Sequence, residues 1–150
     1  MIYDSTPDTR DHIARVQELL TVITDELTIR AAGHDASKLH EPEKSGYDRL
    51  TMALKQVAYG SDAYHAARAD AAPVIAQHYA ANRHHPEHFP DGIYGMNLID
   101  VIEMLCDWKA ASARTRQTSV APSLSHTKQR FGINDQLFAI LVNTVRDLEW

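Results

Sequence analysis

A single cysteine, Cys106, stands in this chain of 150 residues, so no internal disulfide can form. A reducing, cytoplasmic setting is the simplest expectation. No apolar run approaches the roughly 20 residues needed to span a membrane. The first residues, "MIYDSTPDTRDH", have neither a basic stretch nor an apolar one, so no signal peptide is expected. Basic residues do not dominate. Lys and Arg number 15 against 20 Asp and Glu, a net charge of −5, which argues against a protein built to coat nucleic acid. Strand-type alternation is lacking, and no Asn-Gly or Asp-Gly turn joins β-rich runs. Internal repeats and low-complexity tracts are absent too.

What remains is a helical pattern. "STPD" opens a helix, with Thr6 as N-cap and Pro7 at the first position. Ile13, Val16, Leu19, Leu20, Ile23 and Leu27 form its apolar stripe, and the helix ends before Gly33. A short turn follows at "HDASKL". Pro42 restarts a helix over 43–58, and Gly60 and Ser61 punctuate it. A stretch over 62–85 is kinked or broken at Pro73. Helices are expected over 97–115, 125–130 and 135–149, with Gly132 ending one and Asn134 capping the next. Six or seven helices with short connections indicate one all-α domain over residues 1–150.

Histidines are plentiful. There are nine, and three fall in "RHHPEH" at 83–88. His78 precedes them in "AQHY". His12 shares the angular position of the first helix's apolar stripe, so it is expected to face inward. His34 and Asp35 form an adjacent pair, a normal ligand couple for a borderline divalent metal. Asp107 lies on the apolar edge of "DVIEMLCDWKAASAR", where a buried carboxylate needs a partner such as a metal. Asp100 competes with it from the same face. Glu103, between them, is read as an exposed or hydrogen-bonded carboxylate.

The ordered set His12, His34–Asp35, Asp107 resembles the H…HD…D signature of the HD superfamily of metal-dependent phosphohydrolases. "HDASK" is similar to the HDxGK form of two-metal members. "CDWKAASAR" is similar to the stretch after the last metal aspartate in the HD-GYP branch. The GYP tripeptide is missing, and the loop reads "PDGIYGM" instead. Together, "HDASK", "HYAANRHHPEH" and "MLCDWKAAS" resemble a small HD-related family of bacterial and phage proteins, which would put a phage-encoded chain in the host cytoplasm.

The resemblance implies an HD-like helical bundle and a divalent transition metal, one or two ions of Mn, Fe, Co, Ni or Zn. His12, His34, Asp35 and Asp107 would hold the first. Asp35 would bridge to a second, held by His78 and by His84 or His85. On an unbroken helix His78 and His85 point the same way, which favours His85. The implied reaction is attack of a metal-activated water on phosphorus in a small phosphorylated substrate, a nucleotide by preference. Asp35 and Lys38 carry the catalytic roles. Lys38, Asn82, Arg83 and Arg114 are the substrate contacts, with Asn82 and Glu87 also able to orient ligand histidines. Glu41 or Glu43 is placed to orient the water, or else to charge a helix start. Tyr47, Tyr59, Tyr64, Tyr79 and Tyr94 are mostly core or rim by spacing, with one or two able to stack on a base. His40, His65 and His126 have no motif context, and His88, in the loop after Pro86, is read as outside the site rather than gating it. No membrane partner is expected, and a homodimer is admitted. Two other functions share this ligand order: an HD-fold diiron oxygenase using O₂, and a nucleotide-binding or inhibitor protein without turnover.

Overall fold

The computed structural model describes residues 3–58, 60–113 and 120–150. Among these the chain is all-α, with seven α-helices and no strand. It divides into two compact units, Met1–His34 and Asp35–Trp150. No helix among the described residues is long and apolar enough to cross a membrane.

The first unit is one helix, α1 (Thr6–Gly33). Ser5, one residue earlier than expected, is its N-cap, and Pro7 sits in the first turn, where a missing N–H costs nothing. A lone helix has no second element to cover its apolar stripe, and α1 by itself buries no residue. Ile13, Val16, Leu19, Leu20 and Ile23 are exposed. His12, expected to face inward with them, is exposed as well.

The second unit begins with a 3-10 turn at Ala36–Leu39 and continues with α2 (Glu43–Leu54), α3 (Asp62–Asp70) and α4 (Ala72–Ala81). Ser61 caps α3 by accepting from the Tyr64 N–H. Pro73 does break the helical stretch, and Ala71 separates α3 from α4. The expected run to His85 stops sooner, because Asn82 leaves helical geometry at φ −122, ψ 114. Two more 3-10 turns, Pro86–His88 and Gly92–Gly95, lead to α5 (Leu98–Ala113). Asn97 and Asp100 cap α5 reciprocally: the Asp100 N–H donates to Asn97 Oδ1 at 2.9 Å, and the Asn97 N–H to Asp100 Oδ2 at 3.0 Å. Then come α6 (Ala121–Phe131) and α7 (Asp135–Asp147). Gly132 ends α6 in the left-handed region, and Asn134 caps α7 through the Leu137 N–H.

The core of this unit joins α5, α6 and α7. Met104, Leu105, Val120, Leu124, Ile133, Leu141 and Val145 are buried there, with Ile93 from the preceding turn. Trp108 and Phe131 stack at its edge, their planes 5° apart. The α2–α4 contact is of another kind. A Cβ added at Gly46 would lie 2.6 Å from Val74 Cγ2 and 2.9 Å from Val74 Cβ, so the absent side chain lets the helices close. Glu43 stands one turn before Gly46, and His78 one turn after Val74. That close approach therefore brings Glu43 against His78.

Candidate metal centre

Asp35 opens the site. It is one of two non-glycine residues with positive φ among the described residues, at φ 56 and ψ 10. Such strain in a non-glycine residue persists where surrounding contacts over-determine it. Here the contacts are on the carboxylate. Oδ2 accepts from Lys38 Nζ at 2.6 Å. Oδ1 lies 3.1 Å from His78 Nε2 and 3.5 Å from His84 Nε2. Burial pushes the Asp35 carboxyl up, but contacts with His78, His84 and Lys38 outweigh it and hold the pKa well below the usual range. Asp35 is therefore a carboxylate.

Both histidines are oriented from behind by glutamates. His78 Nδ1 lies 2.9 Å from Glu43 Oε2, and His84 Nδ1 lies 3.1 Å from Glu103 Oε1. A carboxylate only accepts, so each Nδ1 carries the proton. Ser37 Oγ donates to Glu43 Oε2 at 2.8 Å, and Asn82 Nδ2, 2.9 Å from His78 Nδ1, donates to Ser37 Oγ at 3.0 Å and to the His78 carbonyl at 2.8 Å. Each Nε2 faces Asp35 Oδ1. Two imidazole nitrogens aimed at one anionic oxygen call for a positive charge between them, either a proton or a metal ion.

His85 completes the group. Its Nε2 lies 3.0 Å from His78 Nε2, and its ring packs 4.6 Å from Tyr79 and 4.1 Å from His84. Burial, then the neighbouring His84 and His78, push its pKa down to about 3. Its ring is thus neutral at physiological pH and able to bind a metal. Asp35, His78, His84 and His85 each offer one ligand atom, and the four atoms lie within 4.8 Å of one another. Bonds of about 2.1 Å from nitrogen and oxygen to a metal place neighbouring ligand atoms roughly 3.0 to 3.4 Å apart. The separations above fit such an ion.

The expected choice between His84 and His85 does not arise. The chain leaves the helix at Asn82, and the turn that follows delivers both. Glu43 takes the role of orienting His78, while Glu41 stays exposed, 3.4 Å from the Ser45 N–H that it helps to cap. Glu103, expected to be exposed or hydrogen-bonded, is hydrogen-bonded and holds His84. Asp107 is half-buried on the same helix and is not gathered with the four ligand atoms. Asp100 is fully buried and takes a forked pair from Arg83, at 3.1 Å from Nε and 2.9 Å from Nη2. The expected phosphate contact Arg83 is therefore committed to a carboxylate. Glu87 pairs with Arg130 of α6 at 2.9 Å rather than with a histidine. His88 meets the Tyr79 carbonyl at 3.2 Å. His40, His65 and His126 are exposed. His12 and His34 belong to the first unit, His12 on α1 and His34 at its C-cap. Arg114 and Tyr59 lie outside the described residues.

Aromatic residues border the group. Tyr47 packs edge-on to His78 at 5.4 Å and carries Lys38 Nζ 4.8 Å over its ring. Burial pushes its phenol pKa up, with Tyr79 and Glu43 adding to the effect. Burial pulls the Arg68 pKa down, but Tyr64 and Tyr79 outweigh it and hold it above the usual value. Tyr94 is exposed. A cleft of about 390 Å³ also opens between α2, α3 and α4, lined by Arg49, Asp70, Pro73 and Val74 among others, but none of the four ligand residues reaches it.

Residues 1–147 match a family of unknown function, DUF5662. Among curated proteins and among solved structures, nothing matches the chain. The match spans nearly its whole length, and the chain belongs to the DUF5662 family.

Proposed function

We propose that this protein is a metal-dependent phosphohydrolase of HD type acting on a small phosphorylated substrate, a nucleotide by preference. One observation carries the reading. Two glutamate–histidine pairs, Glu43–His78 and Glu103–His84, point their Nε2 atoms at Asp35 Oδ1, with His85 beside them. Ligand histidines typically donate their other ring nitrogen to a carboxylate in this way.

A bound divalent ion would lower the pKa of a coordinated water from about 15.7 to roughly 7. The chain's own residues would do the rest. Asp35 and the three histidines hold the ion. Glu43 and Glu103 fix the imidazole tautomers. Lys38, at 2.6 Å from Asp35 Oδ2, places an ammonium beside the ion, where a phosphoryl oxygen would sit. From the HD ligand order alone, His12, His34 and Asp107 are further ligands to be tested by substitution.

The test is elemental analysis of freshly purified protein, then a phosphate-release screen over nucleotides with each metal. Metal-dependent release supports the reading. A donor set of three imidazoles and a carboxylate suits iron as well. O₂-dependent turnover with iron and no phosphate release would instead favour the oxygenase. Tight nucleotide binding without product would favour a binding protein.

A further inference from the structure

Helix α1 runs for 28 residues and buries none of them. Most helices draw their stability from packing an apolar face, and Thr21, Val22, Ile23 and Thr24 put four β-branched residues in succession in this one. A covering surface is therefore called for. The helix hydroxyls make no such demand, because Thr21, Thr24 and Thr28 donate to the carbonyls of Gln17, Thr21 and Thr24, each at 2.9 Å.

Spacing and charge say what the surface is. Ile13, Val16, Leu20, Ile23 and Leu27 follow one another at alternating intervals of three and four residues. That is the seam of a coiled coil, narrower than the stripe of a helix laid on a globular core, and it fits a second helix. Asp11, Glu18 and Asp25, seven apart, form the acidic edge opposite the seam. His12, Leu19 and Glu26, also seven apart, flank the seam on one side, where charge sets partner and orientation. Leu19, an exposed leucine, stands midway between the histidine and the glutamate.

We propose that α1 is a dimerisation helix that pairs antiparallel with α1 of a second copy of this chain, about a two-fold axis at Leu19. Turning the helix about that point brings Leu19 to Leu19 and sets each His12 imidazole beside the other copy's Glu26 carboxylate. Four apolar layers then fill the seam, Ile13 on Ile23 and Val16 on Leu20, each formed twice, as a closed two-fold interface requires. The other flank brings Gln17 to Gln17 and Arg10 to Thr24, with no like charges opposed. Parallel pairing would set Arg30 against Arg30 in the seam and leave His12 and Glu26 uncomplemented. The inference does not depend on the metal centre.

The test is sedimentation equilibrium of the full chain, which should give a dimer. Leu20→Glu places two carboxylates in the seam and should raise the dimer Kd about a hundredfold or more. Val22→Glu, exposed and off the seam, should leave the mass unchanged. Glu26→Lys should weaken the dimer, and adding His12→Glu should restore it. The two residues stand about 21 Å apart on one helix, so only a second copy can couple them. Spin labels on Asp11→Cys, Glu18→Cys and Asp25→Cys, each in a Cys106→Ser background, give the orientation. The distance between copies should be shortest at 18, and longer and equal at 11 and 25. A monomeric wild type, a dimer untouched by Leu20→Glu, or a dimer that Val22→Glu dissociates equally would overturn the proposal. So would equal label distances at all three positions, which mark a parallel pair.

Discussion

His78 Nε2 lies 3.1 Å from Asp35 Oδ1, while the other nitrogen of the same ring is held 2.9 Å from Glu43. The ring is thus fixed at one end and aimed with the other. Asp35 is aimed as well, by a left-handed backbone that few L-residues besides Asp and Asn adopt.

Removing the fixing carboxylates should therefore act on metal affinity without removing a ligand. Glu43→Gln and Glu103→Gln are each expected to weaken metal binding by about 10- to 100-fold. Competition against a chromophoric chelator measures this. Unchanged affinity in both variants would mean that these glutamates only solvate the imidazoles.

Gly46 sets the approach of α2 to α4, and with it the distance from Glu43 to His78. Gly46→Ala places a Cβ inside contact distance of Val74 and should cost about 1 to 3 kcal/mol as overpacking. Thermal unfolding gives the loss. Gly46→Ala/Val74→Ala should recover part of it, since the second change removes the clashing methyls.

Arg83 and Asp100 should matter for stability and not for substrate affinity. Asp100 is fully buried, so Arg83→Ala leaves a carboxylate with fewer charge-assisted bonds. The expected cost is about 1 to 3 kcal/mol, reduced from the fully buried case because the Arg83 side chain is 44% exposed. A large rise in KM with unchanged stability would return Arg83 to the role of phosphate contact.

His85 gives the metal-free protein a pH dependence. Its pKa is lowered from 6.5 to about 3 by burial and by the neighbouring histidines. Between these values the unfolded chain binds the proton and the folded chain does not. Stability from this group is therefore complete above pH 6.5 and is lost as pH falls toward 3. The melting temperature of EDTA-treated protein should drop across that window. His85→Gln should flatten the drop, and an identical slope in the variant would exclude His85 as its source.

Much of this was legible in the sequence, and what was legible was local. Gly132, Asn134, Ser61 and Pro73 act on their own neighbours, so they marked helix ends correctly. "HD" and "RHH" pointed, by residue type alone, to Asp35, His84 and His85, three of the four residues that are gathered. The roles of Glu103 and Arg83 were hidden because each is set by a partner far along the chain. Glu103 reads in the sequence as an exposed or hydrogen-bonded carboxylate, and only His84 opposite it decides for the second. Arg83, beside the histidines in sequence, turns to Asp100, 17 residues on. His84 was ranked below His85 on the assumption of a continuous helix, and Asn82 ends that helix first.

Metal content of Asp35→Ala beside wild type, by elemental analysis with helicity checked by circular dichroism, tests the centre most directly. The account predicts one or two divalent transition-metal ions in each wild-type chain and loss of that metal in a still-helical variant. Metal-free wild type, or full occupancy in Asp35→Ala, would contradict it.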